Sequence, residues 1–419
     1  MNNNVLIINY NMGYDTFIHK LRELGYGVVI LNNSSNQCDS FKVQNIARYY
    51  ETNLQDFGEV SKYCRVLHEQ YEFKAILSHS EFHQHMVDML AKELDLVHNQ
   101  PDLVKETTNK ILMKERAKSY GIPTAEFCLL DTTKNIDDEL ERVLNKISFP
   151  WIIKPPIGCY SVGVHKVSSI EQVKKLVPQV KRLSTFIKST YSDNQSMNNV
   201  LIEEYIHGEE FNFDGLVIDG TWHTLMLSKK IPDLFGPTFQ EEGLLSIINS
   251  HGVEEFETLA KKIISAFPYK NAPIHMEIRR DRETNELKVV EFSPRLSGGG
   301  QTIYEMLKIS AEYDVYDVFM KMRTNALKEV EIPKLKWHSF EIDFKIDGSG
   351  IIKSFKGLNE IKKNVLFRTV DITKKIGDII APQSVNIDTV AVFYFSVSCA
   401  KEAVELLDFV NDTFKVELV

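Results

Sequence analysis

The chain of 419 residues has few cysteines, no excess of positive charge and no long apolar run at its start. Its five cysteines (Cys38, Cys64, Cys128, Cys159 and Cys399) are odd in number and scattered, and no two form a CxxC pair. That spacing speaks against a disulfide framework and a zinc ribbon, and it fits reduced thiols. Lys and Arg total 49 against 58 Asp and Glu, a net charge of -9. Such a surface repels phosphate backbones unless basic side chains are gathered locally, so no nucleic-acid partner is expected. Met1 to Asn4 is polar, and Val5 to Ile8 is too short for a signal or spanning segment. A cytoplasmic protein without a membrane partner is the expectation. Hydrophobic residues at 43% and charged residues at 26% are ordinary soluble usage, and the length suits two to four domains.

The opening reads as β-α-β with a parallel sheet: Val5 to Ile8 apolar, Phe17 to Leu24 at helical spacing, Val28 to Leu31 apolar again. The loop Asn9-Tyr10-Asn11-Met12-Gly13 lacks GxGxxG, which excludes the usual dinucleotide fingerprint there. Ala75 to Leu77 predicts another buried strand, running into Ser78-His79-Ser80-Glu81 and a helix through Leu94. Thr107, Thr108 or Asn109 caps a helix from Lys110 to Tyr120, which Gly121 and Pro123 end. Tyr191 to Asn199 reads as an exposed loop and Lys174 to Arg182 as a solvated helix face. From Trp337 onward, short alternating strands, a turn at Gly348 to Gly350 and a helix from Lys401 to Phe414 predict a small α+β unit. No internal repeat is visible.

Three segments carry chemistry. In Ile274-His275-Met276-Glu277-Ile278-Arg279 and Leu287-Lys288-Val289-Val290-Glu291-Phe292-Ser293, period-two alternation flanks a polar turn. A turn centred on Thr284 sets Glu277 opposite Glu291, with Ser293 further along the same face. Facing carboxylates repel, so a cation belongs between them. Oxygen ligands of this kind suit Mg²⁺; a solvated acidic pair fits the same pattern. Next come Pro294-Arg295-Leu296-Ser297-Gly298-Gly299-Gly300, an Arg beside glycines that let the backbone approach an anion. The second segment, Trp151 to Val164, is a buried strand ending at Lys154 and a loop with Gly158, Ser161 and Gly163. Its amides, hydroxyl and ammonium can cradle phosphates, although Lys precedes the glycines, unlike a P-loop, and a plain turn accounts for the glycines equally well. The third, Val200 to Phe211, runs apolar into Glu203-Glu204-Tyr205-Ile206 and on to Glu210. It is either a hinge that reads a flat adenine edge, with Glu210 on ribose hydroxyls, or an edge strand with exposed acids.

In this order, from about residue 100 to 325, the segments resemble the ATP-grasp superfamily of carboxylate-amine ligases, and most of all the L-amino-acid ligases that form dipeptides. The resemblance implies an α/β and α+β multidomain chain. Residues 1–100 would be a Rossmann-like N-terminal α/β domain and 101–330 the ATP-grasp domain, with a lid at about 122–205. Residues 331–419 would be a C-terminal α+β subdomain. It also implies that Lys110 and Lys154 contact ATP phosphates, that Gly158, Ser161 and Gly163 close over them, that Glu203, Glu204, Tyr205 and Ile206 hold adenine, and that Glu210 holds the ribose. Glu277, Glu291 and Ser293 would ligate two Mg²⁺ ions, for which Mn²⁺ can substitute. Arg295 would hold the transferring phosphoryl group and, with Lys154, be catalytic. Glu81, Glu241, Arg295, Gly298 and Gly299 would meet the substrates, and homodimers are common among such enzymes.

Two positions depart from the pattern. Ser293 stands where the family usually has Asn, so one ion would be held more weakly or through water. In Phe239-Gln240-Glu241-Glu242-Gly243-Leu244, Leu244 replaces a His and a later Pro is missing, so the amino-acid pocket would differ. Glu241 is still assigned to a substrate ammonium. The expected reaction is acyl-phosphate formation from a carboxylate and ATP, followed by attack of an amine, with release of ADP and phosphate. The alternatives are a glycinamide-ribonucleotide-type or carboxylase-type ligase, or an ATP-binding regulator without turnover. Retention of both carboxylates, both lysines and Arg295 speaks against the last. His79, His83 and His85 admit a zinc reading, but Ser80-Glu81 looks more like a helix cap bordering the cleft. His207 and His275 read as surface or second-layer groups, and Phe211, Phe213 and Phe393 to Phe395 as sheet core.

Overall fold

A computed structural model describes residues 3–10, 15–34, 47–158, 161–191, 199–231, 242–248, 252–346, 348–380 and 389–419, with side chains of 186–191 left aside. Cys159, Glu241 and most of the loop expected at Tyr191 to Asn199 lie outside the described residues.

The first four strands are β1 (Asn4–Ile8), β2 (Gly27–Asn33), β3 (Arg48–Thr52) and β4 (Phe73–Leu77). They form a parallel sheet in the order β3-β2-β1-β4. Period two sends Val5, Ile7, Val28 and Ile30 to one face, against the helix Asp15–Glu23. Leu6, Ile8, Val29 and Leu31 go to the other, against the helix Phe57–Tyr71. Burial on both faces explains why these strands read as unbroken apolar runs. β4 ends at the segment carrying Glu81, so that residue lies beyond the carboxyl ends of the sheet, where open parallel sheets bind ligands.

A second sheet is antiparallel: β5 (Phe127–Asp131), β6 (Trp151–Lys154), β7 (His165–Val167) and β8 (Asn199–Glu204), in the order β5-β8-β6-β7. The helices Ile136–Leu144 and Ile170–Tyr191 close its core around Trp151, Ile153 and Ile202. Lys181 and Arg182 are on the solvent side of the second of these helices, with Val173, Val177 and Val180 buried beneath.

The largest sheet holds β9 (Gly208–Ile218), β10 (Thr221–Ile231), β11 (Gly243–Ser246), β12 (Ala272–Asp281), β13 (Leu287–Ser293) and β14 (His338–Lys345). After β15 (Gly350–Lys356) come β16 (Phe367–Ile372), β17 (Ile379–Ile380), β18 (Thr389–Val397) and β19 (Lys415–Leu418). The order in the large sheet is β13-β12-β9-β10-β11-β14-β18-β16, while β17-β15-β19 stand apart. The large sheet therefore runs straight across the division expected at residue 330. The reason lies in β11 and β14: Leu245 faces the core of Phe340, Phe393 and Phe414, whereas Leu244 faces that of Ile303 and Tyr394. Each core takes strands from both sides of the expected boundary. The closing helix is Ala400–Thr413, matching its expected position.

Two helices position the site. Pro101–Thr108 precedes Lys110–Ser119, and Asn109 caps the latter by accepting from the amides of Ile111 and Leu112 at 3.0 and 3.4 Å. The helix Gln301–Ala311 follows Gly298, Gly299 and Gly300, whose φ values of 54, 63 and 93° only glycine adopts readily.

Candidate active site

The hairpin register sets Glu277 opposite Glu291 and His275 opposite Ser293. β12 continues the row into the sheet, with Glu277 beside Asn212 and His275 beside Asp214. The cations that like-charge repulsion calls for are present. Lys110 Nζ stands 2.9 Å from Glu291, and Lys230 Nζ stands 3.6 Å from Glu277. Burial raises the Glu277 carboxyl, but Lys230 and His275 more than offset it and hold the group well below the usual carboxylate range. His275 Nδ1 is 2.9 Å from Asp214, and its Nε2 is 3.8 Å from Glu277. Burial alone would lower this imidazole, yet the flanking carboxylates carry it to about 9.

Lys154, at the end of β6, is buried. Its ammonium meets Glu203 on β8 at 2.9 Å, and the other oxygen of Glu203 meets Lys114 at 3.1 Å. The Glu203 carboxylate is thus committed between two lysines. Glu204 turns to Lys288 at 2.9 Å. Tyr205 is buried with Lys166 Nζ 3.8 Å from its ring centroid and Arg279 5.1 Å from it, beside the buried Ile206. Glu210 accepts from Lys230 at 2.6 Å and from Arg279 at 3.0 Å.

Lys110 also donates to the Gly158 carbonyl at 2.7 Å, and its amide donates to the Pro156 carbonyl at 3.0 Å, tying the glycine loop to the helix. Ser161 and Gly163 both have positive φ, 54 and 76°. A Cβ on Gly163 would come within 2.8 Å of Leu183. Arg295 Nε donates to Glu81 at 3.2 Å, so the strand-end carboxylate and the post-hairpin guanidinium share one place. Gly300 packs on His79, where an added Cβ would lie 3.0 Å from the ring, and this brings the glycine turn with Gly298 and Gly299 to the same sheet end.

The structure thus gathers Lys110, Lys154, Glu203, Glu210, Glu277 and Glu291 through ion pairs, and couples Arg295 to Glu81. Sequence reading missed Lys114, Lys230, Asp214 and Arg279. Lys114 had a signal, its i,i+4 spacing from Lys110 on one helical face. Lys230 had only its alternation with Ser228. The zinc reading gains no support: His83 Nδ1 is bonded to the Ser80 hydroxyl at 2.9 Å, His79 meets the Phe17 ring edge-on, and no cluster of three His, Cys, Asp or Glu suited to a metal exists among the described residues.

The ATP-grasp domain model matches residues 147–303. An L-arginine-specific L-amino acid ligase of Bacillus subtilis is 25% identical over 314 residues, 74% of this chain and 72% of that protein. A D-alanine–D-alanine ligase of Azobacteroides pseudotrichonymphae genomovar. CFP2 is 31% identical over 104 residues, 25% of this chain and 28% of that one. Among solved structures, an L-amino acid ligase from Bacillus licheniformis superposes with a TM-score of 0.86 at 20% identity, covering 100% of this chain and 99% of that one. A phosphoribosylglycinamide synthetase from Anaerococcus prevotii gives 0.69 at 16% identity, with 100% of each covered. Residues 147–303 thus match an ATP-grasp domain, and over its full length the chain shares the fold of an L-amino acid ligase.

Proposed function

We propose that the enzyme activates the carboxylate of an L-amino acid with the γ-phosphate of ATP and joins it to the amino group of a second amino acid, giving a dipeptide, ADP and phosphate. The observation that carries this reading is the Glu277–Glu291 pair, each carboxylate matched by a lysine, together with the buried Lys154 and the Arg295–Glu81 pair. Lys110 and Lys154 bind phosphate oxygens. Arg295 orients the phosphoryl group and then the acyl-phosphate, and the Gly158 to Gly163 loop excludes water. Glu203 to Ile206 take adenine and Glu210 the ribose, the lid being residues 122–205. Glu81, Gly298 and Gly299 contact the amino acids. No side chain forms a covalent intermediate.

The donor set Glu277, Glu291 and Ser293 is all oxygen, and two of its members already face ammonium groups, which fits hard divalent cations. When bound, two Mg²⁺ ions would neutralise charge on the phosphoryl oxygens. Fewer than three acidic ligands suffice, because Mg²⁺ usually completes its shell with water and substrate phosphate.

A cationic side chain on one substrate is favoured by a further observation. Just after the glycine turn, Thr302 approaches Glu341 at 3.5 Å, and Gln301 donates to Glu305 at 3.2 Å. Burial raises the Glu305 carboxyl, Lys308 partly offsets this, and Asp371 adds to the rise. Carboxylates held in this way gain from a guanidinium or ammonium partner.

The test is phosphate release from MgATP with every pair of amino acids, followed by mass spectrometry of active pairs. A product equal to the two amino acids minus water is expected, with arginine or lysine in the most active pairs. Turnover only with bicarbonate or a phosphoribosylamine would replace this reading by the carboxylase or ribonucleotide alternative.

A further inference from the structure

The helix Lys110–Ser119 places two lysines on its buried face, one turn apart. Lys110 serves Glu291 and the glycine loop. Lys114 has no exposed side-chain surface, and its ammonium stands 3.1 Å from Glu203. Glu203 and Lys154 sit on paired strands, β8 and β6, and their charged ends meet at 2.9 Å. The charged groups acting on Lys114 are Glu203 on β8, Lys154 on β6 and Glu291 on β13. Around Glu203, then, one carboxylate is divided between two ammonium groups, leaving a positive charge uncompensated within the triad. A buried ion is tolerated only where partners or a ligand balance it.

We propose that Lys114 is a positioning residue for phosphoryl transfer: by occupying one oxygen of Glu203 it keeps that carboxylate from closing on Lys154, whose ammonium stays directed at the nucleotide phosphates. This rests on the reading of Lys154 as a phosphate contact. Without Lys114, Glu203 and Lys154 form a closed one-to-one pair inside the protein. The pair is neutral and drawn toward β8, and the phosphates lose their cation. Lys114 touches neither substrate nor metal in this account and acts only through Glu203.

The experiment uses Lys114→Met, Glu203→Gln and the double variant in the full-length enzyme, with thermal melting to confirm folding. Steady-state kcat and KM for ATP are measured from pH 6 to 8.5. Lys114→Met is expected to lower kcat/KM for ATP about 30- to 300-fold, the range found when one stabilising donor is lost from a transition state. Adding Glu203→Gln to Lys114→Met raises kcat/KM, since no carboxylate remains to capture Lys154. A folded Lys114→Met with unchanged kcat/KM overturns the proposal, and so does a double variant worse than Lys114→Met. If Lys114→Met does not fold, the double variant is compared with Glu203→Gln alone. Equality within twofold supports the proposal, and a further tenfold loss overturns it. Lys154→Met, run alongside, separates the two readings: unchanged turnover there removes the phosphate-contact assignment, whatever Lys114 does.

Discussion

Acid should loosen the end of the parallel sheet that presents Glu81 before it affects the rest of the molecule. His79 and His83 flank that residue, and both are buried. Burial, with Arg295 nearby, pushes His79 down to about 3, and burial pushes His83 down to about 4. In the unfolded chain both titrate near the ordinary value of about 6.5. The native state therefore holds them neutral, and unfolding takes up protons once the pH drops below about 6.5. Their contribution is complete above that value and is lost as the pH falls toward the folded values. At pH 5 the unfolded form of each gains about 2 kcal/mol by protonation while the native form gains almost nothing, so the two together cost about 4 kcal/mol.

Against a total stability of about 5–15 kcal/mol, that is a large fraction. The assay is urea unfolding at pH 7.5 and pH 5 for wild type and for His79→Gln/His83→Gln, with hydrogen exchange on peptides covering β4 and the helix Gln84–Glu93. The wild type is expected to lose about 4 kcal/mol more than the variant over that interval, whatever their stabilities at pH 7.5. Parallel losses in the two proteins would refute the reasoning. A functional corollary is that Arg295 loses its Glu81 anchor in the same pH range, because Glu81 opens the short helical turn that ends at His83.

Glu291→Ala is expected to abolish ATP turnover while leaving the melting curve within a few degrees of wild type; retained turnover would remove the metal assignment. Lys154→Ala should cost about 100- to 1000-fold in kcat, the scale of a lost charge-stabilising donor, and an unchanged rate would count against the loop reading. Gly208→Ala should destabilise by at least about 2 kcal/mol, measured by urea denaturation, because its Cβ would fall 1.8 Å from the Arg280 carbonyl oxygen at a φ of 148°. A smaller loss would show that the chain relaxes there. Since Gly208 also accepts from Arg279 at 2.7 Å, the same change should raise KM for ATP through Glu210.

The parts of the fold legible in the sequence were those whose pattern is local. Alternation fixed the β12–β13 hairpin so closely that the expected opposition of Glu277 and Glu291 is the observed register, despite an irregularity just beyond it. Asn109, one of three candidate caps, is the residue that caps the helix of Lys110. What the pattern could not carry was the joining of distant strands. β11 is four residues long and pairs with β14, nearly a hundred residues later, through Leu244 opposite Glu341 and Leu245 opposite Phe340. That pairing makes one sheet of what composition and turn spacing divide into two units. A short, wholly buried strand carries too little periodicity to announce its neighbours.

The charges of the site were half legible for a related reason. A carboxylate pair declares itself by alternation on one hairpin, and the need for a cation follows from repulsion. Which lysine answers is decided by topology. Lys230 comes to Glu277 because β10 and β12 both pair with β9, and Lys114 comes to Glu203 because a helix lies across a separate sheet. The result gathers several cations locally inside a chain whose net charge is -9. Lys110, Lys114, Lys154, Lys230 and Arg295 each meet a carboxylate, Lys114 and Lys154 sharing that of Glu203. On the proposed function, binding MgATP would exchange partners among these desolvated groups, and the field guiding the phosphates would come from how the pairs are aimed.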